Sequence, residues 1–198
     1  VPVLKAHCQT GITCSLKNLK GCLPDTEKRR FHSMGLDKPI AHLGAIIKPG
    51  LNIVDAICGD LTFEEGGNPV QMDRIIAGKD PVLVDAFAAS LLGFSPEEIE
   101  YIPMAQRLGV GSSDLTQARF AEYDVEKKLT ARFRPSGRAK KLAEKVAAKD
   151  ACSACYGSLI HALHRMDESD RLKHLRGPIS IGQGFRGEVG EGIGIGAC

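Results

Sequence analysis

Apolar residues in "KPIAHLGAIIKPG" (residues 38–50) fall at Ile40, Leu43, Ile46 and Ile47. That is helical spacing, with Pro39 near the start and Lys-Pro-Gly as the stop, so a helix is predicted over 38–47. The next stretch, "LNIVDAI" (51–57), is a short β-branched run and predicts a strand. "VQMDRIIAG" (70–78) predicts another. "DPVLVDAFAASLLG" (80–93) predicts a helix with Asp80 at the N-cap, Pro81 in the first turn and Gly93 past the end. "SPEEIEYIPMAQRLG" (95–109) repeats that design through Ser95, Pro96 and Glu98, and Pro103 should kink or split it. Residues 112–125 give no firm assignment.

At the two ends the pattern changes. Residues 1–6 predict a short buried strand. It runs into "HCQTGITCSLKNLKGCLPD" (7–25), a Gly/Thr/Asn/Lys-rich loop with one helical turn at "SLKNLKG". Residues 58–69 form a turn-rich loop. "EKKLTARFRPSG" (126–137) is basic, ends in Pro-Ser-Gly and reads as a linker. After it, "RAKKLAEKVAAKD" (138–150) predicts a helix with Ala139, Leu142 and Val146 on one stripe. A second helix covers 151–168, and "PISIGQGF" (178–185) predicts a strand entering a glycine-rich loop. The glycines at 182, 184, 187, 190, 192, 194 and 196 do not form GxGxxG ahead of a helix, so no dinucleotide loop is assigned. Alternating strands and helices predict an α/β fold: a mixed, mostly parallel sheet with flanking helices, and a C-terminal βα segment carrying cysteines. The expected organisation is an α/β core over 1–125, the linker, and a cysteine-containing segment over 138–198.

Composition narrows the function classes. The chain has 198 residues, 43% of them hydrophobic, enough for one substantial core or two small ones. With 26 basic and 24 acidic residues there is no electrostatic case for nucleic acid or an anionic membrane. The absence of Trp argues against a base-stacking surface. No apolar run approaches the ~20 residues of a membrane span, and the N-terminus lacks the pattern of a signal peptide. Both ends look cut, as if this were part of a longer protein. Seven cysteines, an odd number without an export signal, fit a reduced cytoplasmic protein with a metal or cluster site better than a disulfide scaffold.

Cys152 and Cys155 open the 151–168 helix. At ~100° per residue they lie ~60° apart on its face, so their sulfurs can converge. A helix N-terminus also favours thiolate through its free N–H groups and dipole. Such a pair suits metal ligation or a redox dithiol, against the plainer reading of two small core residues. His161 and His164 do not complete a Cys₂His₂ site, since they lie ~120° and ~180° from Cys155 on a continuous helix. Cys198 is the credible third ligand. It follows a strand and a loop in which Gly194 and Gly196 would let the backbone approach a cluster and donate N–H groups to its sulfides. Zinc obeys the same arithmetic, and spacing alone does not separate the two.

The segments "VPVLKAH…TGITCSLKNLKG", "EKRRFH", "VDAICGDLTFEEGGNP", "IIAGKDPVLVDAFAASLLGF" and "CSACYGSLIHAL…ISIGQGFRG…GEGIGIGAC" together resemble the prokaryotic family called domain of unknown function 362. Its members resemble iron–sulfur proteins, and some carry ferredoxin-type domains. The resemblance implies that Cys152, Cys155 and Cys198 are ligands of an iron–sulfur cluster, of the 4Fe-4S type. It also implies that a fourth ligand lies in a Gly-Cys-Pro segment missing after Cys198, and that an N-terminal portion is missing. An electron-transfer protein or a ferredoxin domain is the implied partner. No reaction is implied.

The 7–25 loop gathers His7, Thr10, Thr13, Lys17, Asn18 and Lys20, with His32 nearby. A Gly/Thr loop after a strand, with lysines, suits an anion or carboxylate. The loop is similar to a glycine-rich segment of nickel-pincer lactate racemases, although the Ser-Gly-Gly-Arg core of that segment is absent. The similarity implies His7 and His32 as acid/base candidates and Lys17 as a substrate or cofactor contact. The alternative is a structural loop with solvated lysines. Asp55, Asp60, Glu64 and Glu65 cluster near a strand end and could ligate a hard metal or simply form turns. Asp85, inside an apolar helix, reads as a buried, paired carboxylate. Two functions follow. One is an iron–sulfur protein of anaerobic redox metabolism. The other is an enzyme acting on a small carboxylate through His7, Lys17 and His32, with the cysteines structural or bound to zinc.

Overall fold

A computed structural model of the chain describes residues 1–7, 9–60, 69–123, 141–149, 151, 153–190 and 192–195. The expected linker, Cys8, Glu64, Glu65, Cys152, Gly196 and Cys198 lie outside these residues. The fold is mixed α/β, with two sheets and flanking helices.

The first sheet has the order β2-β1-β3-β4. β1 (Val3–His7) pairs antiparallel with β2 (Gly11–Thr13) and parallel with β3 (Asn52–Asp60), which pairs antiparallel with β4 (Pro69–Gly78). Alternation puts Leu4, Ala6, Ile12, Val54 and Ala56 on one face, all buried. That face is covered by α1 (Ser15–Asn18), α3 (Asp37–Ile46), α4 (Pro81–Leu91) and α5 (Tyr101–Arg107), which contribute Leu16, Ile40, Val82 and Ile102 to one core. Each such side chain is worth roughly 1.5–3 kcal/mol when fully buried. A further helix, α2 (Asp25–Met34), has charged residues at half of its positions and shows no apolar period.

α4 starts and stops as its sequence dictates. Asp80 Oδ1 accepts from the N–H groups of Val82 and Leu83 at 2.8 and 3.1 Å, Pro81 fills the first position, and Gly93 leaves the helix at φ +84°. The 95–109 stretch divides as well, but not at Pro103. Ser95 and Glu98 form a reciprocal capping box around a single 3-10 turn, Pro96–Glu98, and α5 begins afresh at Tyr101. Pro103 is then the third residue of α5, where its missing N–H costs no helical bond. Residues 112–123 contain no helix; the carboxylate of Asp114 accepts from the N–H and hydroxyl of Thr116 in a local turn.

The second sheet, β5-β6-β7, is wholly parallel. β5 (Val146–Ala148) corrects the expected 138–150 helix. The helical turn at 141–143 ends with Lys145 N–H on Leu142 O, and the chain then extends. Ladder bonds to β6 (Ile179–Ile181) and burial of Val146 against the second core outweigh the helical preference of an Ala/Lys-rich run. Between these strands runs α6 (Ser153–Glu168), which buries Leu159, Ile160 and Leu163 against Leu142, Ile179 and Ile181. β7 (Ile193–Ile195) lies inside the glycine-rich stretch, too short and too rich in glycine to signal a strand. Ala148, Ile181 and Ile195 are register partners at the carboxyl ends of the three strands. α6 starts past that same edge.

Candidate functional site

Past the carboxyl edge of the β5-β6-β7 sheet, the chain leaving β5 leads into α6, which carries Cys155. Cys155 is the third residue of α6, half-buried and not in a disulfide. It stands in the first turn of the helix. The chain entering α6 is tightly held. Lys149 N–H donates to Ile181 O, and Lys149 O accepts from Gly184 N–H, both at 3.0 Å. Gly182, at φ +116°, lies so close that a Cβ there would collide with Lys149 O and come within 2.7 Å of Ala151 N. The glycine therefore lets the backbone at Lys149 and Ala151 pass close beside it, a role its sequence context did not reveal. Gly194 sits in β7, its missing side chain filled by Val189, 2.9 Å from where a Cβ would stand. His161 and His164 are half-buried, and His164 Nδ1 lies 3.5 Å from Glu168 Oε1. Among the described residues no group of three or more His, Cys, Asp or Glu is arranged to hold a metal ion. Of the three expected thiols only Cys155 is among them.

A second polar group gathers where parallel strands β1 and β3 end, the position at which α/β sheets hold ligands. His7 closes β1 and Asp60 closes β3, and both are buried. Thr10, Thr13 and Lys17 are buried with them. His7 Nδ1 accepts from the N–H groups of Thr10 at 3.1 Å and Gln9 at 3.3 Å, and lies 2.9 Å from Thr10 Oγ1. Lys17 Nζ donates to Thr13 Oγ1 at 3.0 Å. Thr13 pairs with Lys5, and Lys5 pairs across the parallel ladder with Asp60. The structure thus places His7 at the end of β1 and Lys17 on α1, bonded to Thr13 of β2. His32 lies on α2, Asn18 is exposed and His42 is an exposed residue of α3. Asp55 accepts from Ile57 N–H at 3.0 Å, beside the irregularity of β3 between Ala56 and Cys58.

The two regions touch. Gln9, in the loop after His7, donates its side-chain amide to Ala151 O at 3.4 Å, and Ala151 immediately precedes Cys152. Nothing local in the sequence marks Gln9 for this contact.

Behind the hairpin lies a buried network. Asp85 of α4 is fully buried and accepts from Ser15 N–H at 2.7 Å, Leu16 N–H at 3.1 Å and the Tyr101 hydroxyl at 3.0 Å. It caps α1 from another helix, since Cys14 at the N-cap position makes no side-chain cap bond. Burial pushes the Asp85 carboxyl up to about 6 against the bonds that hold it down, and pushes the Cys14 thiol and Tyr101 hydroxyl up as well. The network fixes the start of α1 and so the stem of Lys17. A cleft of about 400 Å³ lies elsewhere, among Gly44, Lys48, Lys79, Pro81 and Leu108. Asp80, in its wall, is already engaged as the α4 cap and by Ser112 N–H at 2.8 Å. Because that cleft gathers no buried polar set, the ends of β1 and β3 and the cysteine edge are the stronger candidates.

Residues 1–90 match the family described as Domain of unknown function (DUF362). The chain is also similar to a thylakoid-associated protein of Synechocystis sp., with 29% identity over 121 residues, covering 56% of this chain and 36% of that protein. The chain thus spans about a third of the length of that curated relative. No solved structure matches it. The family match runs from β1 into α4 and takes in His7, Lys17, His32, Asp60 and Asp85, while the cysteine segment lies beyond it.

Proposed function

We propose that the chain is an iron–sulfur protein of redox metabolism, with Cys152, Cys155 and Cys198 as thiolate ligands of a cluster, of 4Fe-4S type. One observation carries this reading: α6, with Cys155 in its first turn, starts past the edge where β7 ends, and Cys198 follows the end of β7 by three residues. Adjacent strands lie about 4.8 Å apart, so the ends of β5 and β7 are separated by roughly 10 Å, a span that three thiols can close around one centre. When bound, a cluster supplies one-electron transfer, and the partner would be a small electron-transfer protein or a ferredoxin domain. A reduced compartment such as the cytoplasm suits these thiols. No helix among the described residues is long and apolar enough to cross a membrane. Anaerobic purification with iron, zinc and acid-labile sulfide analysis tests the reading. Iron and sulfide in similar amounts support it; stoichiometric zinc without sulfide rejects it in favour of a zinc site.

A second reading is favoured by the burial of His7 at the end of β1 and of Lys17 on α1, which donates to Thr13 of β2. In it the chain acts on a small carboxylate at the ends of β1 and β3, with His32 as a further contributor. Loss of turnover in Lys17→Met with unchanged unfolding temperature would support it. Unchanged turnover would reject it.

A further inference from the structure

We propose that the cleft between α3, α4 and the turn after α5 binds a small organic anion, a carboxylate or phosphate joined to an apolar body, with Lys48 and Lys79 holding the charge. The inference stands apart from both readings above and uses neither the cysteines nor His7.

The cleft has room and fixed walls. Its volume of about 400 Å³ falls in the range of small-molecule sites. Ala45, Pro49, Pro81, Leu108 and Val110 give it an apolar surface. One wall is the turn that ends α5. Gly109, at φ +72°, donates its N–H to Gln106 O at 2.9 Å, and Val110 N–H reaches back to Ala105 O at 3.1 Å. This double closure engages carbonyls that a helix end otherwise leaves open. The same turn is fastened to α4. Ser112 N–H donates to Asp80 Oδ2 at 2.8 Å, and a Cβ on Gly111 would collide with the Asp80 carboxylate. The walls are therefore set before any ligand arrives.

The charge in the cleft is cationic. Asp80 is the one acid lining it among the described residues. Its Oδ1 is taken by the N–H groups of Val82 and Leu83 and its Oδ2 by that of Ser112. Lys48 follows α3 and Lys79 precedes α4, and both line the cleft. Neither ammonium group makes a hydrogen bond or ion pair among the described residues. The backbone of Lys79 is nevertheless anchored, since its carbonyl accepts from Asn52 Nδ2 at 3.3 Å. Two unpaired ammonium groups beside an apolar wall concentrate anions there. An apolar body on Leu108 and Pro49 adds what a bare anion lacks. Ammonium groups act as point charges without the planar fork of arginine, so carboxylate and phosphate share this chemistry.

The test uses the 198-residue chain, ¹⁵N-labelled, with benzoate and phenyl phosphate as probes. At least one should give saturable amide shifts at Leu108, Gly109 and Val110, and the tighter of the two names the head group. Phenol, which lacks the charge, and acetate, which lacks the ring, should bind about tenfold more weakly or worse. Lys48→Met and Lys79→Met should each weaken binding about threefold or more. Both side chains are exposed, so the unfolding temperature should not move. Lys28→Met, on α2, should change nothing at the cleft. No saturable shift with either probe, phenol binding as tightly as benzoate, or an affinity indifferent to both cleft lysines overturns the proposal and leaves Lys48 and Lys79 as solvated surface charges.

Discussion

Gln9 and Ala151 meet through a side-chain amide and a backbone carbonyl, 3.4 Å apart across 142 positions of sequence. Gln9 N–H also touches His7 Nδ1, and Ala151 is bonded to Cys152. The hairpin carrying His7 is thereby tied to the segment that leads into α6. Gln9→Ala should lower global stability by no more than about 1 kcal/mol, the net worth of one ordinary hydrogen bond. It should speed amide exchange at the start of α6 more than elsewhere. Hydrogen-exchange mass spectrometry checks this; unchanged exchange there would mean that the two regions do not communicate through this contact.

Asp85→Ala should be far more damaging. It strips the partner from Ser15 N–H, Leu16 N–H and the Tyr101 hydroxyl in a fully buried place. The expected loss is about 3–5 kcal/mol, measurable by urea unfolding. A loss under about 1 kcal/mol would show that α1 does not depend on this remote cap.

Asp37 gives a pH signature. Burial first, and then the charge of Glu100, push its carboxyl from 3.8 to about 6, and Asp37 Oδ1 is buried without a hydrogen-bond partner among the described residues. A folded value above the unfolded one means that the fold favours the protonated form. The stabilisation is therefore full below pH 3.8 and lost as pH rises through about 6. Asp85, raised to about 6 chiefly by burial, acts with the same sign. Asp37→Asn should raise stability at pH 7 by roughly 1–2 kcal/mol and flatten the fall of unfolding temperature between about pH 4 and 7. Calorimetry across that range decides; a variant with the slope of the wild type contradicts the assignment.

Gly182→Ala should destabilise the C-terminal sheet by about 2 kcal/mol or more, because φ +116° and the closeness of Lys149 O leave no room for a Cβ. Thermal unfolding of the variant reads this directly. A neutral result would mean that the chain entering α6 is not pressed against the glycine.

Elements with local signals were legible in the sequence. Asp80, Pro81 and Gly93 bracket α4 because caps and terminators act within one turn. The 38–47 period marks α3 for the same reason. β5 was not legible, since Val146–Ala148 sits in an Ala/Lys run and becomes a strand only by pairing with Ile179–Ile181. β2 and β7 are three residues each and include glycine, too little to show alternation. At the site, His7 and Lys17 could be suspected from residue type, but Asp60 joins them only through the β1–β3 register. Gln9 and Gly182 act on residues 142 and 33 positions distant, Ala151 and Lys149, a relation that no local pattern carries.

The central claim is that the cysteines hold an iron–sulfur cluster, and the visible spectrum of the anaerobically reconstituted chain tests it most directly, with Cys155→Ser prepared alongside. The account predicts a brown protein with broad absorbance near ~400 nm that bleaches on reduction, and a weakened or absent band in the variant. A colourless wild type that takes up no iron and sulfide, or a band indifferent to Cys155→Ser, would contradict it.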